Sequence, residues 1–356
     1  MKNDAVLAGT IWEKLKSGVV IPAHPLALDR ERRLDERRQR ALTRYYCDSG
    51  VGGIAVGVHT TQFEIRQPEI GLFEPVLTLA KEECDRFDSG RSEKLIRVAG
   101  IVGQTAQAVK EATLCKSLGY HLGLVSLSAF QNADNDALIM HLREVAEIIP
   151  VMGFYLQPAV GGRLLDFDFW RRAAEIENLR AIKIAAFNRY QTLEAVRGVA
   201  ASGRAENIAL YTGNDDNIVF DLLSEYQFGA GQQKLFFSGG LLGHWAVWSQ
   251  KNVQLLDEIH SVRRSGAAVP TKWLRIAQEV TDANQVIFDA HNGFKGCIPG
   301  IHEILRRQGL LEGNWTLNPK EVLSAGQKEE IDRIYTLYNS LNDDTFVKEN
   351  LDRWLR

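Results

Sequence analysis

The chain has 356 residues, 45% of them hydrophobic and 24% charged, with a formal net charge of −3 at pH 7. This is the composition of an ordinary globular protein with material for a large core, and its slightly acidic balance does not favour nucleic acid or an anionic membrane as a partner. No apolar run reaches 18 residues and "MKNDAVLAGTIWEKLKSG" lacks the pattern of a signal peptide, so a cytoplasmic location is expected.

Short apolar runs rich in β-branched and aromatic residues alternate along the chain with stretches of helical periodicity. The first is "GVVIPAHP" (18–25), followed by the charged helical pattern "LDERRQRALTRYYCDSG". Then come "GGIAVGVHTT" (52–61), "IRVAGIVG" (96–103), "HLGLVSLSAF" (121–130) and "VMGFYLQP" (151–158). The last three are "LRAIKIAAF" (179–187), "NIALYTGND" (207–215) and "KLFFSGGLLG" (234–243). Continuous apolar strands separated by helices imply parallel strands covered on both faces, and eight such units predict an α/β chain closed into a (β/α)8 TIM barrel. An open doubly wound sheet is the alternative, but no GxGxxG turn opens the first helix. Residues 1–265 are assigned to the barrel. After them only helical patterns remain, so 266–356 is expected to be a helical region that packs on the barrel as a cap or makes a subunit contact. Cys47, Cys84, Cys115 and Cys297 have neither metal-site spacing nor the look of a secreted disulfide framework, and are read as free, largely buried thiols.

The sixth strand carries the residue that points to chemistry. Lys183 stands between Ile182 and Ile184, and the two-residue period turns it into the barrel if the isoleucines face the helices. An unperturbed lysine has a pKa of about 10.4, so fewer than roughly one in a thousand is neutral at pH 7; burial raises that fraction and makes the amine a candidate Schiff-base nucleophile. The competing reading is a structural lysine paired with a carboxylate inside the barrel. Tyr155 lies at the end of the neighbouring fifth strand, 28 residues before the lysine, where a phenol could relay the protons that imine formation moves. Thr60 and Thr61 offer hydroxyls at the end of the second strand.

At this combination the sequence resembles the dihydrodipicolinate synthase and N-acetylneuraminate lyase family of lysine-dependent (class I) aldolases. The likeness rests on "HTTQFE" (59–64) for the family's threonine-pair segment, "YLQP" (155–158) for its YNxP segment and "AIKIAAF" (181–187) for its lysine strand. It extends through "LYTGNDDNIVFDLL" (210–223) to "IHEILRRQGLL" (301–311). The resemblance implies a lysine imine with pyruvate or another 2-oxo acid, possible sugar-acid substrates of the 2-keto-3-deoxy type, aldol cleavage or dehydration without metal or cofactor, and a homo-dimer or homo-tetramer. Carried over, Lys183 is the nucleophile, Tyr155 the proton relay, and Thr60 with Thr61 the carboxylate-binding network. Ser238, Gly239 and Gly240 border the carbonyl, and His59, Phe130 and Asn214 complete the lining.

Departures accompany the likeness. Phe130 stands where the synthase has a relay tyrosine, Val160 stands where it has a carboxylate-gripping arginine, with Arg163 three residues on, and "TTQFE" replaces the glycine turn. Dihydrodipicolinate synthesis is therefore not expected. His59 and His244 are each read as structural histidines or as groups that polarise a substrate hydroxyl. Asp215 and Asp216 have the look of a helix N-cap. Two rival classes stay open, a catalytically silent barrel that binds a carboxylic metabolite for regulation and a metal-dependent barrel enzyme, for which no ligand cluster is recognisable.

Overall fold

A computed structural model describes residues 7–229, 231 and 233–356. Eight parallel strands follow one another round a barrel: β1 (Val20–Pro22), β2 (Gly53–Val56), β3 (Ile96–Ile101), β4 (Leu122–Val125), β5 (Val151–Leu156), β6 (Leu179–Ala185), β7 (Ala209–Thr212) and β8 (Phe237–Leu242). All eight lie within the runs expected from sequence. β1 pairs with β8, and the ring closes between β1 and β2 through the Ala23–Ala55 bridge, where the His24 N–H reaches the Ala55 carbonyl at 2.8 Å.

Helices surround the ring: α1 (Gly9–Ser17), α2 (Glu36–Asp48), α3 (Phe73–Asp88), α4 (Thr105–Ser117), α5 (Asn135–Ala146), α6 (Phe167–Ala174), α7 (Arg189–Ala201), α8 (Ile218–Leu223) and α9 (Ser249–Ser265). Both faces of each strand are buried, which is why the strands read as unbroken apolar runs. The result is two core layers. An inner one fills the barrel with residues such as Ile21, Val98, Met152 and Leu241; an outer one packs residues such as Ile182 and Ile184 against the helices.

The two ends of the barrel are closed differently. At the N-terminal ends of the strands, α1 lays Ile11 and Leu15 into the inner core. At the opposite end lie the helices that follow residue 265: α10 (Lys272–Ile287), α11 (Cys297–Arg307), α12 (Gln327–Leu337) and α13 (Asp344–Trp354). They share the outer apolar cluster with the barrel helices, α10 packing on α8 and α13 on α2. Polar clamps fix the register, since Tyr45 of α2 donates to Asp343 at 2.8 Å and the Trp354 indole donates to Asp48 at 2.6 Å. All four cysteines are free and buried. Among the described residues no helix is long and apolar enough to cross a membrane.

Candidate active site

The C-terminal ends of the strands converge on a cavity of about 70 Å³. By the room one water molecule needs, that is space for about five waters or one small carboxylic acid. Its walls come from much of the fold: Ala23 after β1, the turn Val58–Thr60 after β2, Phe154 and Leu156 on β5 with Gln157 after it, Lys183 and Ala185 on β6 with Phe187 after it, Gly213 and Asp215 after β7, and Gly243 after β8. Phe288, Phe294, Cys297 and Ile301 of the C-terminal region form the roof.

Lys183 points into this cavity, as the alternation on β6 requires with Ile182 and Ile184 turned outward. Its Nζ lies 4.6 Å from the centroid of the Phe154 ring, the residue directly beside it on β5. Among the described residues it has no hydrogen bond and no direct ion pair. Gly213 makes room for its stem, because a Cβ there would stand 2.6 Å from the lysine Cε. Burial pulls the ammonium well below the ordinary lysine range, toward neutrality, against the opposing pull of the Asp215 charge.

Asp215 is the second titratable group. One carboxylate oxygen accepts the His244 backbone N–H at 2.9 Å. Burial raises its pKa far above the carboxylate range, while that hydrogen bond and the Lys183 charge work against the rise. Lysine and aspartate are thus driven toward each other from opposite directions. A buried pair of this kind is neutral overall whether written as ammonium and carboxylate or as amine and carboxylic acid, and desolvation favours the second form. The sequence-based reading of Asp215 as a helix cap is corrected here: α8 starts at Ile218 behind Asn217, which leaves Asp215 at the mouth.

Tyr155 does not join the cavity. Phe154 and Leu156 face inward on β5, so Tyr155 faces outward, its ring 5.6 Å from Trp170 of α6 and its hydroxyl accepting the Leu165 N–H at 3.3 Å. The inward neighbour of the lysine is therefore a phenylalanine without a hydroxyl. Thr60 lines the cavity, and its hydroxyl donates to the Ala23 carbonyl at 2.8 Å. Thr61 is buried behind it, donating to the His24 carbonyl at 2.7 Å and accepting the Gly57 N–H at 3.0 Å, which makes it the pin of the turn. His59 borders the cavity; burial, helped by the Lys183 charge, holds its pKa at about 4, so it is a neutral imidazole at pH 7.

The expected β8 border is also displaced. The strand begins at Phe237, so Ser238 and Gly239 lie toward the floor, where the Ser238 carbonyl accepts from His260 at 2.8 Å, and Gly240 faces Trp245. Gly243 occupies the mouth instead. Phe130 packs against His141 of α5 with the rings tilted and their centroids 4.5 Å apart, and Arg163 donates to the Ala133 carbonyl at 2.9 Å, both outside the cavity. Asn214 stands behind the wall, accepting the Phe187 N–H at 2.9 Å and donating to Asp221 at 2.8 Å. Sequence reasoning missed Gln157 and the roof residues; only their position after a strand end or in the capping helices could have marked them. His244 is buried, with its pKa lowered to about 4 by burial, and serves Asp215 through its backbone rather than its ring. Among the described residues no group of three or more metal-ligating side chains stands together.

No family model matches the sequence, and no curated protein does. Solved structures do match. Dihydrodipicolinate synthase from Oceanobacillus iheyensis superposes with a TM-score of 0.73 at 18% identity, over 93% of this chain and 99% of that one. YagE from E. coli K12, a prophage protein of the dihydrodipicolinic acid synthase family solved in complex with pyruvate, gives 0.70 at 19% identity over 90% and 97%. N-acetylneuraminate lyase from Fusobacterium nucleatum gives 0.69 at 16% over 90% and 99%. The chain therefore has the (β/α)8 fold of the dihydrodipicolinate synthase and N-acetylneuraminate lyase structures.

Proposed function

We propose that the chain is a divergent member of that family and a class I lyase, forming an imine between Lys183 and pyruvate or another small 2-oxo acid and then making or breaking a bond next to the former carbonyl. The observation that carries this is the buried amine of Lys183, which faces a small cavity at the strand ends and has no direct ion pair among the described residues. The pyruvate bound to YagE supports the substrate class.

The residues divide the work as follows. In the neutral form of the pair, the Lys183 amine attacks C2 of the oxo acid and the Asp215 carboxylic acid supplies the proton that lets water leave, giving a protonated imine beside a carboxylate. Asp215 takes the role expected of Tyr155, because Phe154 fills the inward position next to the lysine. The substrate carboxylate is assigned to the backbone N–H groups of His59 and Thr60, two residues that line the cavity and whose N–H groups donate to no described acceptor. The 1–265 barrel supplies the chemistry and the 266–356 helices the roof. A homo-dimer or homo-tetramer belongs to the same proposal, and light scattering of the purified protein tests it.

Borohydride reduction in the presence of pyruvate, followed by peptide mapping, is the test. An adduct on Lys183 that vanishes in Lys183→Met supports the reading; modification elsewhere or nowhere across several 2-oxo acids refutes it. The inward Phe154 favours a second reading, a barrel that binds a carboxylic metabolite without turnover. It predicts saturable binding that Lys183→Met leaves intact.

A further inference from the structure

Much of the cavity lining is hydrocarbon. Leu156 and Phe187 rise from the barrel, and Phe288, Phe294 and Ile301 descend from the roof. Phe187 and Phe294 meet edge to face, ring centroids 5.7 Å apart at 82°, so they join barrel to roof across the cavity. Both are held in left-handed backbone, at φ 51° and 67°, a conformation that costs a bulky residue energy and persists only where the surroundings impose it.

The supports are visible. Asn214 accepts the Phe187 N–H and is itself held by Asp221. The Phe294 N–H bonds the Asp289 carbonyl at 3.0 Å, while the Asp289 carboxylate is fixed by the Gly296 N–H at 2.9 Å and the Asn292 amide at 2.7 Å. Two strained aromatic residues, each with its own polar brace, are aimed into one small cavity.

From this we infer that the site selects a short 2-oxo acid with an apolar tail, two or three carbons beyond the carbonyl, and disfavours a hydroxylated chain of the sugar-acid kind. The inference rests on Lys183 forming the imine. Volume and polarity carry it together. About 70 Å³ holds an acid of the size of pyruvate or slightly larger. Lys183 and Asp215 are assigned to the carbonyl and the His59 and Thr60 backbone to the carboxylate, which leaves the Gln157 amide and the His59 ring as polar side chains beside a lining that is otherwise largely hydrocarbon. A tail hydroxyl set against Phe187, Phe294 and Ile301 would leave water without gaining a hydrogen bond from those side chains.

A matched pair of acids tests this, because 2-oxobutanoate and 3-hydroxypyruvate differ only by a methyl in place of a hydroxyl. The readout is the concentration of each that half-saturates reductive trapping on Lys183, normalised to trapping by Nα-acetyl-lysine so that intrinsic carbonyl reactivity cancels. A preference of roughly tenfold or more for 2-oxobutanoate is expected, the range over which apolar pockets reject a hydroxyl isostere. Equal capture, or preference for 3-hydroxypyruvate, overturns the proposal. Phe294→Asn, which suits the left-handed backbone and adds a polar group, should cut the ratio to about two or below, whereas Phe294→Leu should retain it; being a ratio within one protein, it is unaffected by overall loss of capture. If neither acid nor pyruvate is trapped on Lys183, the imine reading falls alone. Thermal stabilisation by butanoate against 3-hydroxypropanoate then decides the apolar site, greater stabilisation by butanoate upholding it and equal or lesser stabilisation overturning it.

Discussion

Lys183 and Tyr211 are direct neighbours on β6 and β7, both pointing into the barrel, yet the protein treats them in opposite ways. Tyr211 reaches toward the floor, donates to the Leu15 carbonyl at 2.8 Å and accepts the Val19 N–H at 3.3 Å. Its polar atom is fully occupied and locks α1 against the barrel. Lys183 reaches the other way, toward the mouth, and meets an aromatic face, a glycine that clears its path and a carboxylate that shares its charge without a direct bridge. A buried polar group with its partners is scaffold, and one kept without them, at a cost in stability, marks the place where a ligand is to supply the missing contact.

That contrast can be broken at either residue. The largest effect is expected from Lys183→Met, which should lower any turnover of a 2-oxo acid by at least about a thousandfold, as loss of a covalent nucleophile does. Its melting temperature should stay level or rise, since an apolar side chain replaces a buried amine. Loss of both activity and folding would instead make the lysine part of the scaffold. Asp215→Asn comes next, with a loss of about a hundredfold in kcat if it handles the proton. The sign of its effect on pH dependence is fixed. The Asp215 charge raises the Lys183 pKa, so removing it should move the alkaline-rising limb of imine formation to lower pH even as kcat falls; a shift to higher pH would contradict the pairing.

Smaller effects sharpen the scaffold side. Tyr211→Phe should destabilise the fold by about 1 to 3 kcal/mol, because the Leu15 carbonyl and Val19 N–H lose a buried partner, with capture of pyruvate changed less than about twofold. Tyr155→Phe should be the mildest, costing about 1 kcal/mol in a denaturant titration and leaving turnover within about threefold of the parent. A hundredfold loss in that variant would mean that the hydroxyl reaches the substrate after all.

The same two strands show what a sequence reveals and what it hides. Eight apolar runs separated by helices were enough to expect the barrel, and the isoleucines flanking Lys183 were enough to turn the amine inward. The facing of Tyr155 was not legible, since both faces of a barrel strand are buried and "FYL" offers an apolar residue at either parity. The register shift where Val151 and Met152 meet Leu179 and Ala181 decides it in favour of Phe154. For β8 the run "KLFFSGGLLG" ended within a residue of the observed strand, Phe237–Leu242, and it was the carry-over from the resemblance that put Ser238 and Gly239 at the mouth, whereas they stand at the start of the strand, toward the floor. Asp215 hid in plain view, because an acidic pair ahead of a helix looks like a cap until the real N-cap position, Asn217, is seen. The roof was out of reach of local patterns, as Phe294 meets Phe187, just after β6, only through packing across more than a hundred residues of chain.

The most direct test of the central claim is the rate of reductive trapping of pyruvate on Lys183 as a function of pH. A lysine kept near neutrality by burial gives a rate that rises with a midpoint well below the value of about 10.4 shown by a free side chain. A midpoint at that free value, or an adduct spread over surface lysines with none on Lys183, would show an ordinary charged lysine and contradict the assignment.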